Sequence, residues 1–506
     1  MTGSGLRLVA GTDRARGTEA GSTGSDPATW SAGAAARAIR RRELSSRELL
    51  DGFLDRIATS TLNAVVTVDA ERARERATLL DAAAARGDWY GPLHGLPFTV
   101  KDAISTAGIR TTSGAPELRE HVPARDATAV ARLRAAGGLV LGKTNTPTWC
   151  ADIETFNPLF GTTRNPWDPT RTSGGSSGGS AAAVTAGLSA FDLGTDIGGS
   201  LRIPPAFCGC FGFKPTFGVV PTDGYLDTAD GGDHPLDMNV FGPIARSAED
   251  LDLLLDVLAG PSSVDARGWR LDLPAAQRDR ATGPRVAVWA SDPLAPPDAP
   301  IAAALDRVAS ALDAAGAHLS EQLPPTGLED LHAAFMTSLR AETALSHPHG
   351  PAVDALAWLR ARRTRARQRA AWERWFDDAD VLLCPILPTV AFPHDQYGAS
   401  RERRITCTDG TVRSGSSLTA WTGIASSLHL PAAAVPVGFT EHGLPVAVQM
   451  IGPRFADRTV LAVAGIVTAL VDATRPARTR TGADGDQHLA DDVTGSAGHR
   501  EPGAAR

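Results

Sequence analysis

Lysine is almost missing from this chain. Of 50 basic residues only three are lysine, Lys101, Lys143 and Lys214, and the rest are arginine. A guanidinium keeps its proton near neutral pH, so any site that needs a neutral amine must draw on these three. Cysteine is sparse too. Five occur, at 150, 208, 210, 384 and 407, with no CxxC spacing. An odd, scattered set excludes a disulfide framework and fits reduced thiols in the cytoplasm. No run of about 18 apolar residues occurs, which argues against a transmembrane helix. The opening MTGSGLRLVAG holds too short an apolar stretch for a secretory signal. An excess of positive charge is lacking as well: 57 acidic residues leave a net charge of -7. That balance weighs against nucleic acid or an anionic membrane as partner.

What is present is ordinary for a globular protein, with 42% hydrophobic and 21% charged residues in 506. A chain of this length buries enough core to need no metal or disulfide staple. Residues 1–28 and 475–506 are rich in small and polar types and read as disordered tails. Residues 29–474 read as a single domain. Within it helix and strand alternate. Asp126 is placed to cap a helix through Val130 and Leu133 that stops at Gly137-Gly138, and Leu139-Val140-Leu141 follows as a buried strand. Ser247 with Asp250 suggests a capping box, 285–289 a strand, and 300–315 an amphipathic helix ending at Gly316. Such alternation predicts an α/β fold, a mixed, mostly parallel twisted sheet flanked by helices. Residues about 327–376 read as Arg-rich helix, a cap over one sheet edge.

The segment 172–200, TSGGSSGGSAAAVTAGLSAFDLGTDIGGS, stands apart. GGSSGGS resembles a flexible linker in composition. A buried-looking helix, AAAVTAGL, follows at once, so its glycines point to close backbone approach or positive φ instead. Three chemistries compete. GGSSG satisfies G-x-S-x-G with Ser176 or Ser177 at the elbow, but no strand precedes it. Gly137–Thr144, GGLVLGKT, fits the phosphate-loop pattern and would make the protein an ATP-dependent enzyme, but a strand occupies its middle where a loop is required. Third, Asp196-Ile197-Gly198-Gly199-Ser200 can present backbone N–H groups beside a serine, the design of an oxyanion hole. That serine needs a base. Lys101 follows the apolar run Leu96–Val100, and burial there would lower its pKa. The plain alternative for Lys101 is a buried salt bridge, with Asp102 next door.

These residues resemble the amidase signature family, whose hallmark is a Ser-Ser-Lys triad within a Gly/Ser-rich stretch. The matching segments are GLPFTVKD (95–102), GTTRNPWD (161–168), GGSSGGSAAAV (174–184), LGTDIGGSLRIPPAFCGCFGFKPT (193–216), FGPIARSAEDL (241–251) and GLPVAVQMIGP (443–453). The resemblance spans about residues 30–470. It implies the amidase signature fold, an α/β/α sandwich. It implies Ser200 as acyl-enzyme nucleophile and Ser176 as bridging serine, joined to Gly175 by a cis peptide, with Lys101 as base. It implies backbone donors at Ile197, Gly198, Gly199 and Ser200, with Ser177, Asp196 and Arg202 supporting the triad. Lys143 and Lys214 fall in family segments read as structural. The resemblance places the segment 149–156 (WCADIETF) on the acyl side of the pocket, with residues in 223–240 and the helical region 327–376 closing over it. Trp149, Cys150 and Phe156 suggest an apolar or aromatic acyl group.

The implied activity is hydrolysis of a small amide, with anilides, carbamates and esters within reach, and with no metal or cofactor. The expected partner is a small-molecule amide without nucleic acid or membrane; a homodimer is compatible. The alternative is the glutaminase-type subunit of a tRNA-dependent amidotransferase. Ile197 and Ile203 stand where those subunits commonly carry threonine and glutamine, which leans toward a free-standing hydrolase.

Overall fold

The structure is a computed structural model and describes residues 26–473 apart from 230, 232–234, 277–282, 347–351, 399–401 and 409. The expected tails lie outside the described residues except for 26–28. There Pro27–Thr29 forms a 3-10 turn with Ala28 buried.

Among the described residues, eleven strands share one sheet. In chain order they are β1 Val65–Val68, β2 Pro97–Lys101, β3 Leu139–Thr144, β4 Asp192–Asp196, β5 Phe211–Lys214, β6 Val240–Ala245, β7 Arg285–Val288, β8 His318–Ser320, β9 Val381–Cys384, β10 Ala432–Phe439 and β11 Pro445–Ile451. Across the sheet the order is β1-β3-β2-β4-β6-β5-β10-β11-β9-β7-β8. Parallel pairing runs through β3-β2-β4 and again through β9-β7-β8. The strands between these blocks, and β1 at the edge, pair antiparallel. The sheet is therefore mixed and flanked by helices, as the alternation of elements predicts. The helix Asp457–Ala473 packs on β10 and on the helices Ala248–Leu258 and Ala299–Ala314.

Three strands position the site. Every residue of β2, β3 and β4 is buried. β2 and β3 are mainly apolar, whereas β4 reads Asp-Leu-Gly-Thr-Asp; its polar side chains are buried too, because both faces of a parallel block are covered. Phe98 of β2 stacks on Phe191, just before β4, with ring centroids 4.9 Å apart. That contact locks the two strands side by side, with Val100 opposite Leu193. Lys101 and Asp196 thus end neighbouring parallel strands, and the carboxyl end of such a block is where loops can gather around a ligand.

Two local expectations change. The helix Thr128–Ala135 is capped from afar: Asp223 accepts the Thr128 N–H at 3.0 Å. Asp126 instead accepts the Ala107 N–H at 2.7 Å. Ser247 does cap its helix, accepting the Asp250 N–H at 3.1 Å. The Asp250 carboxylate does not close the box. It accepts the N–H groups of Ala32 and Gly33, at 2.9 and 2.8 Å, and so caps the helix Ala32–Arg40. Asp223 and Asp250 each satisfy orphan helix donors of a segment remote in sequence, which local spacing does not reveal.

Within the 327–376 stretch two helices, Leu328–Glu342 and Ala355–Trp375, pack together. The first also packs on Ala420–Ser427. No helix among the described residues is long and apolar enough to cross a membrane.

Candidate active site

The glycine-rich segment is packed, not loose. Ser177 stands at the N-cap of the helix Gly178–Thr185, in which Gly178 through Val184 are buried. A Cβ on Gly179 would fall 2.4 Å from Asn145 N, and one on Gly175 would fall 2.3 Å from the carbonyl oxygen of Asp152. Only glycine admits backbone that close. Gly175 and Ser176 are joined by a cis peptide bond. Thr146 Oγ1 donates to the Ser176 carbonyl at 3.0 Å.

Lys101, Ser176 and Ser200 meet in one hydrogen-bonded line. Lys101 Nζ lies 2.6 Å from Ser176 Oγ, and Ser176 Oγ lies 3.0 Å from Ser200 Oγ. The Ser176 N–H also reaches Ser200 Oγ at 3.0 Å. Lys101 donates as well to Thr195 Oγ1 at 2.8 Å, a residue of the quoted LGTDIGGS that sequence reasoning does not single out. Burial pushes the Lys101 pKa below the ordinary lysine value, against the upward pull of Cys150, Asp196 and Asp192. The salt-bridge alternative fails on geometry: Asp102 turns its carboxylate to the hydroxyl and N–H of Thr112. Burial raises the Asp102 pKa to about 6, with Lys143 opposing.

Lys143 lies within β3, fully buried, and donates to the Ile104 carbonyl and to Thr106 Oγ1. A strand stands where a phosphate-binding loop would be needed, and this removes the ATP reading. Lys214 is equally enclosed, donating to the carbonyls of Leu430 and Pro215 at 2.8 and 3.1 Å.

Behind Ser200, Asp196 and Arg202 form a pair with no exposure on either side chain. Arg202 Nε and Nη2 donate to the two carboxylate oxygens at 3.0 and 2.9 Å. Its remaining donors reach Thr422 O, Gln449 Oε1 and Ser426 Oγ. Burial alone would raise the Asp196 pKa, yet the Arg202 guanidinium overcomes it and holds the carboxyl below its ordinary value. The same carboxylate accepts the N–H of Gly199 at 2.8 Å and of Leu201 at 3.0 Å, fixing the turn that presents Ser200. We expect Asp196→Asn to cost about 3–5 kcal/mol, because Arg202 is left buried without its counter-charge. A urea midpoint indistinguishable from the parent protein would refute that.

The donor set therefore departs from expectation at Gly199. Its N–H is taken by Asp196, and its φ of 129° serves the turn instead. No protein acceptor takes the N–H of Ile197, Gly198 or Ser200 among the described residues. Ser177 Oγ donates to the Thr195 carbonyl at 3.3 Å.

A cavity of about 340 Å³ opens on Ser176 and Ser200. Trp149 and Cys150 line it, each in left-handed backbone with φ of 54° and 58°. Phe156 does not. It lies on a two-residue strand, with the Arg403 guanidinium 5.6 Å from its ring centre. Ile153, Ile197, Ile203, Leu236 and Met336 complete an apolar wall, with Asp152, Asp227 and Arg340 as charged members. Met336, Leu339 and Arg340 come from the helix Leu328–Glu342, and Gly415, Ser416 and Thr419 from another turn. Asp152 and Ile153 fall in the 149–156 stretch, Asp227 and Leu236 in 223–240, and Met336, Leu339 and Arg340 in 327–376, the stretches expected at the pocket. Gly415, Ser416 and Thr419 fall in none of them.

The hydrogen-bonded line from the buried Lys101 amine through Ser176 to Ser200 lies beside backbone N–H groups without a protein acceptor and an open cavity, the arrangement that the resemblance implies. The chain belongs to the amidase family, whose profile matches residues 48–350 and 348–461, and its members act on carbon–nitrogen bonds. It is 34% identical over 491 residues to the A-type subunit of the glutamyl-tRNA(Gln) amidotransferase of Roseiflexus sp. (strain RS-1), covering 87% of this chain and 96% of that protein. The corresponding protein of Thermosynechococcus vestitus (strain NIES-2133 / IAM M-273 / BP-1) is 32% identical over 475 residues, covering 85% and 95%. Among solved structures, a bacterial aryl acylamidase of the amidase signature family superimposes with a TM-score of 0.76 at 26% identity, covering 88% of this chain and 99% of that one. The curated relatives correct one expectation. A partner set of a small amide with no nucleic acid does not stand beside relatives that are subunits of an enzyme named for glutamyl-tRNA(Gln).

Proposed function

We propose that the chain cleaves carboxamides through an acyl-enzyme on Ser200, with Ser176 as bridging hydroxyl and Lys101 as base. The unbroken line from Lys101 Nζ through Ser176 Oγ to Ser200 Oγ carries this reading. Neutral Lys101 accepts the Ser176 proton, Ser176 accepts that of Ser200, and Ser200 Oγ bonds to the carbonyl carbon. The N–H groups of Ile197, Gly198 and Ser200 hold the oxygen as it gains charge. Collapse breaks the C–N bond while the relay returns the proton to the leaving nitrogen. Water, deprotonated by the same relay, then hydrolyses the ester and frees Ser200.

For the substrate, the curated relatives support the glutaminase-type reading. The chain then releases ammonia from glutamine beside partner subunits of a tRNA-dependent amidotransferase. A second reading has its own support. The apolar wall, with Ile197 and Ile203 in it, suits an apolar or aryl acyl group, and the likeness to an aryl acylamidase points the same way. Anilides, carbamates and aryl esters are then substrates. Five free thiols support a reducing, cytoplasmic setting for either.

A panel of glutamine, anilides, a carbamate and an aryl ester, assayed with the chain alone and with co-purified partners, separates the two. Glutamine turnover that rises with partners supports the first reading. Anilide turnover by the chain alone, with glutamine inert, supports the second. No turnover anywhere and no fluorophosphonate adduct on Ser200 would sink the acyl-enzyme itself.

A further inference from the structure

One cluster of buried charges next to the site is unused by this chemistry. Arg403, its side chain 2% exposed, immediately precedes the strand Arg404–Thr406, which pairs with Val412–Ser414. Its guanidinium takes both Asp152 oxygens, at 2.8 and 2.7 Å, and lies 3.3 Å from Glu154 Oε1. Glu154 Oε1 also accepts the Asp395 N–H at 3.0 Å, and Glu154 Oε2 lies 3.2 Å from His394 Nδ1. A buried ion cluster is a poor source of net stability, because desolvation offsets its attraction. A reason for it lies in what it holds.

It holds the backbone of 152–154, and that backbone lies on Gly175. The same hypothetical Cβ at Gly175 would meet Ile153 C at 2.7 Å and Glu154 N at 2.8 Å. The next residue, Thr155, donates its hydroxyl to Gly174 O at 2.8 Å and accepts the Gly178 N–H at 3.0 Å. The 152–155 segment therefore touches the chain on both sides of Ser176. We infer that Arg403 is a positioning residue: by pinning Asp152 and Glu154 it presses this segment on Gly174–Gly178, fixing the Ser176 hydroxyl between Lys101 and Ser200. A misplacement near 1 Å in such a group costs about 10²-fold in rate.

The inference rests on Ser176 as the bridging hydroxyl, so Ser176→Ala belongs in its test. Arg403→Lys and Arg403→Ala are assayed for kcat, KM and rate of Ser200 labelling by a fluorophosphonate, with and without methylguanidinium, and with thermal unfolding as control. We expect both variants to lose about 10²-fold in kcat and labelling rate, with KM within about threefold. Methylguanidinium should restore much of the loss in Arg403→Ala. A folded Arg403→Lys with parental kcat and labelling overturns the inference, as does a folded Arg403→Ala that methylguanidinium does not rescue. Where Arg403→Ala fails to fold, Arg403→Lys decides on the same readouts. If Ser176→Ala keeps full activity, the bridging role falls and takes the inference with it. An inactive Ser176→Ala beside an unaffected Arg403→Lys removes the inference alone.

Discussion

Ser200→Ala is expected to lower kcat/KM by about 10⁴-fold or more, because it removes the atom that bonds to the acyl carbon. The loss should fall on kcat, since the cavity wall and its Trp149 and Met336 lining remain. A fluorophosphonate should label the parent protein on Ser200 and leave Ser200→Ala unlabelled when mapped by mass spectrometry. An adduct on Ser176 or Ser177 would instead return the site to an elbow-type serine. The geometry opposes that: Ser176 Oγ sits between two partners at 2.6 and 3.0 Å, and Ser177 is turned to the Thr195 carbonyl.

Lys101→Arg is expected to be as damaging as Lys101→Ala, each by about 10²–10⁴-fold in kcat/KM. If the amine only supplied positive charge, arginine would substitute. A base must give up a proton, and guanidinium does not. The pH profile follows from the direction of the shift. Burial lowers the Lys101 pKa, so the active, neutral form is reached at a lower pH than for an exposed lysine. Activity should rise with pH through that depressed pKa and level off above it. Substantial activity in Lys101→Arg, or activity that falls as pH rises from neutral, would contradict the base role.

Much of the site is legible in the sequence because its parts come in short, dense stretches. The strand around 139–141, the strand at 285–289 and the helix near 300–315 all appear where hydrophobic periodicity puts them. Lys101 stands out because lysine is so scarce. Ser176 and Ser200 stand out because glycines between buried segments need a steric reason. What stays hidden is held by contacts between distant segments. Arg403 meets Asp152 from 251 residues away, and Asp223 caps a helix from 95 residues away. Such pairings leave no periodic trace in either segment. Sequence misplaces Phe156 for the same reason: its neighbour is Arg403, not the cavity.

All three lysines are buried, so the folded surface offers no lysine amine. Reagents that acylate or reductively alkylate lysine, and enzymes that attach groups to it, find no lysine target while the fold holds. Modification at 101, 143 or 214 would then be a clock for opening of the molecule rather than a map of its exterior. Distance mapping by chemical cross-linking would have to run through carboxylates or arginine.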